Sequence, residues 1–392
     1  MQNRNHAILL TKGYYFILFA AASALLPFLA LYYQQLGLSG RQIGLLTSIP
    51  FWITIFSALL WGGLADATQQ HKRLLSLAII GAAGTAVLIS WAASFFLLIP
   101  IIAVWALFTG PIMPLVDNTA LEILGDQSHQ YGKIRLWGAL GWGISAPVMG
   151  ELVERLGLDW IFYGYALLML MSWLVVGQLP IASSSIGGGF GQGLRTLLRD
   201  RRWGLFLLLI FAGSLGEATV HSFWFLYLKA LGATSFLMGF SLTVAMLSEM
   251  VIFFLSDRLL HRFGPRNLLM LSIAIRVGQL LAYSWITNPY LALTFQLLHG
   301  PGFAAMWVAA VAYVNEITPK GLSATGQGLL NSVSFGFALA IGAILGGFLY
   351  EQVGAFGMYR WMAGLMLAGL LTFVLAPQAV IRPAPKQDAA VY

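Results

Sequence analysis

Apolar residues are grouped along this chain in long blocks, separated by short polar segments. Runs of about 20 apolar residues, the length that crosses a bilayer core at 1.5 Å per residue, recur from one end of the sequence to the other. Twelve runs can be counted, near 13–36, 42–65, 74–94, 97–121, 134–155, 159–180, 203–230, 237–256, 267–287, 290–314, 323–349 and 357–377. The pattern predicts an all-α membrane protein with twelve transmembrane helices.

The composition indicates that lipid is the main solvent of the chain. Of its 392 residues 59% are hydrophobic and only 9% are charged, and the mean hydropathy is +0.81. There is no cysteine, which excludes disulfides, thiolate nucleophiles and cysteine-ligated metals. No segment shows a nucleophile–base arrangement, an H-E-x-x-H motif or a phosphate-binding loop. The sequence therefore predicts no enzyme activity, no metal and no cofactor.

The basic residues predict the orientation of the chain. If both termini are cytoplasmic, sixteen of the 21 Lys and Arg residues lie at or near the cytoplasmic side. Arg41, Arg155, Lys229 and Arg360 lie outside, and Arg276 falls within a span. We therefore expect a multi-pass protein of a cytoplasmic (cell inner) membrane with both termini inside. The net charge of +7 then reflects topology, and no nucleic-acid partner is expected.

The twelve spans divide into two similar halves. A polar, glycine-rich stretch separates an amino-terminal half, 1–181, from a carboxyl-terminal half, 203–392, and we interpret 182–202 as a cytoplasmic linker. The halves repeat short blocks: LEIL at 121–124 corresponds to NEIT at 315–318, and the loop GGLADATQQHKR corresponds to FLSDRLLHRFGPR. Two six-span copies of one topology are typical of a transporter with parallel repeats.

The repeated loops resemble those of the major facilitator superfamily, whose signature is roughly G-x-L-A-D-R-x-G-R-K. The first loop matches it at Gly62, Leu64, Ala65, Asp66 and, with shifted spacing, Lys72 and Arg73; the second keeps Asp257, Arg258, Gly264 and Arg266. The resemblance implies the major facilitator fold and a gating role for Asp66, Lys72, Arg73, Asp257 and Arg258, as latches of the cytoplasmic ends. Lys72 and Arg73 can equally be topology signals alone.

Charged residues inside the spans are the candidates for chemistry, since each costs at least about 2.5–3.5 kcal/mol at mid-bilayer. Asp117 lies late in span 4 and Arg135 lies early in span 5, so antiparallel neighbouring helices bring them to similar depth as an ion pair. Trp142 follows Arg135 by two helical turns and shares its face, which suits a ring-shaped solute. Glu122, near the cytoplasmic end, suits a gating or solvated role.

The blocks P-x-x-D and YGKIRLWG resemble the phenylpropionate-permease branch and, more distantly, bacterial lactose permease. The resemblance implies that Asp117 and Arg135 bind substrate as an acid–arginine pair and that Trp142 stacks on a ring. The blocks around Glu249, Arg276 and His299 also resemble the phenylpropionate-permease branch, and His299 is expected among the substrate-binding residues. Gly302 and Gln296 depart from the lactose permease pattern, which has a proton-carrying glutamate and a lysine there.

Proton coupling therefore needs other acids. Glu217 and His221 are spaced i, i+4 and share a helix face, where they could exchange a proton. Glu249 is the alternative proton carrier, with Arg276 as its expected companion. Two structural interpretations stay open: Glu249 and Arg276 could simply neutralise each other, and His299 could be a core histidine bonded to a neighbouring helix.

The sequence as a whole favours a proton-driven symporter that imports a small ring-bearing organic solute by alternating access. An aromatic acid could be captured at Arg135, whereas a sugar or nucleoside could be bound by its hydroxyls across Asp117 and Arg135. The expected partners are this small molecule, the proton and the lipid bilayer, and the expected state is a monomer. The alternatives are proton-coupled efflux of amphiphiles, which predicts a greasier site, and a non-transporting receptor on the same fold.

Overall fold

A computed structural model describes residues 2–125, 130–179, 191–319 and 321–376, without the side chains of residues 2–4, 55, 58, 59, 62, 63, 65, 66, 191–194 and 324. Twelve helical rods, α1 to α12, run back and forth through it. They are α1 (Gln2–Leu25, Leu26–Phe28 and Leu29–Gln35), α2 (Gly40–Thr68), α3 (His71–Trp91), α4 (Phe95–Thr109 and Ile112–Leu124), α5 (Tyr131–Leu156), α6 (Trp160–Gln178), α7 (Arg201–Ala230), α8 (Ser235–Phe263), α9 (Pro265–Tyr283), α10 (Pro289–Phe295 to Ala305–Ile317), α11 (Ser323–Asn331, Ser332–Phe337 and on to Gly354) and α12 (355–375). The described residues form no strand.

Eight helical stretches are long and apolar enough to cross a membrane, and the last of them, Thr325–Leu375, contains both α11 and α12. Gly354 separates these two rods because its φ of 69° and ψ of −179° cannot continue a helix. The other three rods, α2, α5 and α9, have 29, 26 and 19 residues. The count and the approximate positions of the predicted spans are thus found in the structure.

Several rods are interrupted inside the membrane. In α1 and α4 the breaks coincide with Pro27 and Pro111, which lack the N–H that a continuous helix needs. In α10 a π-helical turn, Gly300–Ala304, contains Pro301, and α11 has a second π-helical turn at Ser332–Phe337. Irregular turns of this kind re-aim neighbouring side chains and are frequent at functional sites.

Glycines bring the two halves into close contact. Where α2 crosses α11, a Cβ added to Gly44 would lie 2.5 Å from the carbonyl oxygen of Ala343. Where α5 crosses α8, a Cβ added to Gly150 would lie 2.3 Å from that of Ser235. Only glycine permits such an approach of two backbones, which is how membrane helices gain packing area without a hydrophobic driving force.

Most of the polar contacts described between the halves lie at one end of the bundle, here called the closed end, where the turns 36–39, 157–159 and 231–234 and Gly354 lie. The Glu351 carboxylate accepts from the backbone N–H of Arg41 at 3.0 Å and lies 3.3 Å from its guanidinium Nε. The Glu154 carboxylate accepts from the backbone N–H of Ser235 at 2.6 Å. Gln34 also donates to the Tyr350 hydroxyl at 3.2 Å. Further inside, Thr243 donates to the carbonyl of Gly143 at 2.5 Å.

The opposite end carries both ends of the described chain and is called the terminal end. Of the predicted linker, residues 182–190 lie outside the described part of the chain. Gly191–Arg199 form a short helix that contacts α7 and α11 and buries Leu197. The glycine-rich sequence did not indicate this helix, in which Leu197 is buried and Leu198 is exposed.

Candidate functional site

A cavity of about 330 Å³ lies between the two halves. Most of its lining comes from α1, α2 and α4 to α6 of the amino-terminal half and is apolar or aromatic, including Phe19, Trp105, Trp142 and Tyr165. The carboxyl-terminal half contributes His221 and Ser222 from α7. Its volume is at the small end of the range of small-molecule sites, so it fits one compact solute.

Asp117 and Arg135 lie beside this cavity and are close to each other. The Arg135 Nη1 is 3.6 Å from the Asp117 Oδ1, and the Tyr15 hydroxyl donates to the same oxygen at 2.5 Å. The guanidinium carbon lies 4.7 Å from the centre of the Phe19 ring and 5.7 Å from that of Tyr15. Phe19 and Met113, both in contact with Arg135, line the cavity. The pair is thus held one side chain away from the solute space.

The aromatic groups around Arg135 are not those that the sequence pattern singles out. Trp142 lines the cavity as a separate surface, whereas the rings that cover the guanidinium belong to α1. Sequence reasoning missed Tyr15 and Phe19, although their i, i+4 spacing offered a signal. Trp142 is placed where it could pack against a ring in the cavity. Its stacking on a substrate ring stays a prediction.

A second cluster of charges lies in the carboxyl-terminal half, centred on Arg276, which is 1% exposed. One guanidinium nitrogen of Arg276 donates to the Glu217 carboxylate from α7. Another, Nη1, donates to Gln279 Oε1 at 2.6 Å and lies 3.0 Å from His299 Nδ1. The His299 Nε2 in turn lies 2.9 Å from the Glu249 Oε1 on α8. Four predicted residues are therefore joined in one network.

The partners within this network differ from the expected ones. Arg276 is paired with Glu217, and Glu249 is paired with His299, so the interpretation of Glu249 and Arg276 as a mutual pair is wrong. Ion pairing between helices depends on which helix faces pack together. The spacing of residues along one helix does not determine this. His299 is bonded to Arg276 on α9 and to Glu249 on α8, which agrees with its interpretation as a buried histidine bonded to neighbouring helices.

The arginine determines the tautomer of His299. A guanidinium only donates hydrogen bonds, so the His299 Nδ1 facing Arg276 must be the accepting nitrogen. The proton then resides on Nε2 and is donated to Glu249. In this arrangement His299 carries one proton, and the Glu249 Oε1 accepts it in a hydrogen bond.

Sequence reasoning missed a group of buried polar residues that supports Arg276 through Gln279. The Gln279 amide nitrogen donates to the Tyr283 hydroxyl at 2.8 Å and to the carbonyl of Phe295 at 2.9 Å, and Tyr283 donates to Gln296 Oε1 at 2.5 Å. Gln279 is completely buried and Gln296 nearly so. The signal available in the sequence was the presence of glutamines within predicted spans, because a buried side-chain amide needs hydrogen-bond partners.

Glu217 and His221 share one face of α7, as their spacing predicts. Glu217 points towards Arg276, whereas the His221 ring lines the cavity, with its centre 5.7 Å from that of Phe51. His221 thus lies between the solute space and the buried charges. Among the described residues no group of three or more His, Asp or Glu side chains could hold a metal ion.

The chain matches the MFS_1 like family over residues 8–361. It belongs to this family. It is 30% identical over 369 residues to a maltose permease of Geobacillus stearothermophilus, covering 92% of each chain, and 26% identical over 380 residues to a probable 3-phenylpropionic acid transporter of Escherichia coli K12, covering 93% of this chain and 96% of the relative. Among solved structures it resembles the nucleoside transporter NupG with a TM-score of 0.86 and 18% identity, over 96% of this chain and 99% of the other.

These findings confirm the fold and the class of protein. The chain is an all-α, multi-pass membrane transporter with the major facilitator fold, and its resemblance to the phenylpropionate-permease branch is confirmed. The comparisons span nearly the whole chain, so the similarity includes both halves and is not limited to the short blocks.

The predicted latch residues of this transporter lie at the terminal end. Lys72 Nζ donates to the carbonyls of Gly177 and Leu179 at 2.7 and 3.1 Å, and Arg73 donates to Gln70 Oε1 at 3.0 Å. All of these contacts stay within the amino-terminal half. In the carboxyl-terminal half Asp257 and Arg258 follow each other on α8, and the Asp257 carbonyl contacts His261 on the same helix at 2.8 Å.

Asp66 and Glu122 are the remaining predicted residues at the terminal end. The side chain of Asp66 lies outside the described part of the structure. Glu122 Oε1 accepts from Asn118 at 3.4 Å, within α4. None of the contacts described for these latch residues joins the halves, whereas the contacts at the closed end do. The geometry is that of a transporter shut at the closed end.

Proposed function

We propose that this transporter is a proton-coupled symporter, a monomer in the cytoplasmic membrane with both termini inside, that imports a small ring-bearing organic solute. The observation that carries the proposal is the cavity between the halves, with the Asp117–Arg135 pair beside it and the Glu217–Arg276–His299–Glu249 network behind His221. With the termini cytoplasmic, the closed end is the outer end and the structure is an inward-facing state. Its partners are the solute, the proton and the surrounding lipid.

The ring-bearing class is supported by the names of similar proteins. They are named for the transport of maltose, 3-phenylpropionic acid and nucleosides. These solutes differ in charge, but each contains a ring. A cavity lined by Phe19, Trp105, Trp142 and Tyr165 suits a flat or puckered ring on physical grounds, since aromatic faces pack on rings at low entropic cost.

Proton coupling is supported by the charge of the buried network. With His299 neutral it holds two carboxylates, Glu217 and Glu249, and one guanidinium, that of Arg276, which leaves one uncompensated negative charge. A single proton on the Glu249–His299 pair makes the network neutral. Since an uncompensated charge is costly in a low-dielectric interior, the protonated form reorients more readily.

Glu249 is the more accessible of the two acids. Its side chain is 27% exposed, against 14% for Glu217, which is bound to Arg276. A proton that enters down the membrane potential supplies about 2.3 kcal/mol per 100 mV. In this mechanism Glu217 and Arg276 remain a fixed pair, and His299 passes the charge change at Glu249 to the guanidinium.

The experiment that tests this function measures solute-induced proton movement in vesicles that contain the protein. Alkalinisation of the outside medium by one ring-bearing solute, lost in Glu249→Gln and in Arg135→Ala, is the expected result. Solute entry without proton movement would refute coupling and favour uniport. Saturable binding without entry would favour a receptor on the same fold.

A further inference from the structure

The polar atoms that face the cavity distinguish between classes of solute. Among the described residues that line it there is no Asp, Glu, Lys or Arg side chain. The two nearby guanidinium groups are both neutralised, Arg135 by Asp117 and Arg276 by Glu217. A solute carboxylate would therefore meet no free cation, and it would approach Asp117 as a like charge.

Two buried polar atoms at the cavity lack hydrogen bonds. The Ser222 hydroxyl, on α7, is 7% exposed, and the Trp105 indole nitrogen, on α4, belongs to a residue that is 3% exposed. The hydroxyl of Tyr165 interacts with the Trp105 indole but does not meet hydrogen-bond geometry. An unsatisfied buried donor is unfavourable, so each is a place where a solute oxygen is stabilised.

The three threonine hydroxyls at the cavity differ, because each already donates its proton to a backbone carbonyl. Thr54 donates to the carbonyl of Pro50 at 2.7 Å, Thr47 donates to that of Ile43 at 2.9 Å, and Thr109 donates to that of Ala106 at 3.2 Å, each within its own helix. Ser222 and Trp105 thus differ from these three threonines of the lining. They come from different halves, so one solute that satisfies both links the halves together.

From this we infer that the solute is a neutral ring bearing hydroxyl groups, a sugar or a nucleoside rather than an aromatic acid, and that Trp105 and Ser222 determine this specificity. The inference rests on the proposed function, in which the cavity is the solute site. The indole N–H of Trp105 donates to a solute oxygen, and the Ser222 hydroxyl donates to or accepts from another. His221, also in the lining, offers one donor and one acceptor when neutral.

The test is equilibrium binding to the purified protein at pH 8 and at pH 6. The probes are D-glucose, maltose and uridine as neutral rings, with D-glucuronate and 3-phenylpropionate as anions. The pH 6 arm shows whether a protonated His221 recruits an anion. We expect at least one neutral probe to bind at both pH values, and both anions to bind at least tenfold more weakly.

The matched variants are Ser222→Ala, Trp105→Phe and, as the control, Thr54→Val, which also removes a hydroxyl from the lining. We expect Ser222→Ala and Trp105→Phe each to weaken binding of the neutral probe at least tenfold, and Thr54→Val to change it less than twofold. Thermal melting of each variant separates loss of binding from loss of folding, and if Trp105→Phe misfolds, Ser222→Ala alone decides.

The outcomes that overturn the inference are distinct from those that overturn symport. Binding of either anion as tight as that of the neutral probes, no binding of any neutral probe, or equal effects of Ser222→Ala and Thr54→Val would each refute the assigned class. An anionic solute that moves protons in vesicles would refute it while leaving symport intact. A neutral sugar or nucleoside that binds and enters without protons would refute symport and leave the assigned solute class intact.

Discussion

Arg276 is the residue whose environment is most demanding. It is nearly inaccessible, it bonds Glu217, Gln279 and His299, and its Nε makes no hydrogen bond. Removing one member of a buried ion pair leaves the other charge uncompensated, whereas removing both can be almost neutral.

We therefore expect Arg276→Met or Glu217→Met alone to destabilise the protein by about 3–5 kcal/mol, and the double variant to be more stable than either. The measurement is unfolding of the purified protein in detergent, followed by tryptophan fluorescence. Strictly additive effects of the two substitutions would show that the pair is not coupled and would contradict the network.

The Asp117–Arg135 pair permits a second test at single residues. Asp117 holds the guanidinium and accepts from Tyr15, so Asp117→Asn keeps the shape but removes the charge that neutralises Arg135. We expect uptake of the transported solute to fall at least tenfold in Asp117→Asn. Asp117→Glu, which keeps the charge, is expected to retain more activity, measured as initial uptake rate in cells. Equal loss in both variants would favour a purely steric role.

Between elements, the closed end depends on two carboxylates that bind the first turns of helices in the other half. Glu351 at the end of α11 binds the start of α2, and Glu154 at the end of α5 binds the start of α8. The elements correspond under the twofold repeat, since α2 and α5 of one half match α8 and α11 of the other. A carboxylate at a helix start is stabilised by its free N–H groups and dipole.

This arrangement gives a pH-dependent prediction. The backbone N–H of Arg41, together with the Ser39 hydroxyl, holds the pKa of the exposed Glu351 carboxyl below its usual range. A lowered pKa means that the contact contributes to closure above the ordinary carboxyl value, about 4.3, and is lost only as the pH falls through the lower one. We expect Glu351→Gln to loosen the closed end at neutral pH.

Labelling of a single cysteine measures this directly, because the chain has no cysteine of its own. Ala30→Cys, in the cavity lining, is expected to react faster with a membrane-impermeant maleimide added at the closed end when Glu351→Gln is present. Glu151→Gln is the matched control, because Glu151 is paired at 2.6 Å with Arg155 on its own helix at the same end. The same acceleration in both variants would argue against a closing role of Glu351.

The sequence predicts the helices far better than it predicts the contacts between them. Twelve spans follow from the length of apolar runs, and the pairing of Asp117 with Arg135 follows from a short connection between adjacent helices. The contacts of Arg276 with Glu217 and of His299 with Glu249 join α7, α8, α9 and α10, and no periodicity within one helix determines which faces of these rods meet. The π-helical turns of α10 and α11 were also beyond prediction, since flanking residues favour an ordinary helix there.

At the scale of the whole molecule, the two halves share one solute cavity but carry different chemistry. The amino-terminal half supplies most of the cavity wall and the Asp117–Arg135 pair, whereas the carboxyl-terminal half supplies the network that a proton neutralises. A solute bound to Trp105 and Ser222 would join the halves, so that solute and proton together favour their movement as two bodies. Coupling then arises because neither the charged network nor the unsatisfied cavity is favourable during reorientation.

Rocking of two rigid halves predicts opposite changes at the two ends of the bundle. Spin labels at Asp159→Cys and Thr287→Cys report on the closed end, and labels at Thr68→Cys and Asn267→Cys report on the terminal end; all four side chains are exposed. When the transported solute is added at a pH that protonates the network, we expect the first distance to lengthen and the second to shorten, as measured by double electron–electron resonance. Parallel changes at both ends would indicate a general loosening, and a change at one end alone would indicate a local gate, so only opposite changes agree with a cavity alternately open to each side.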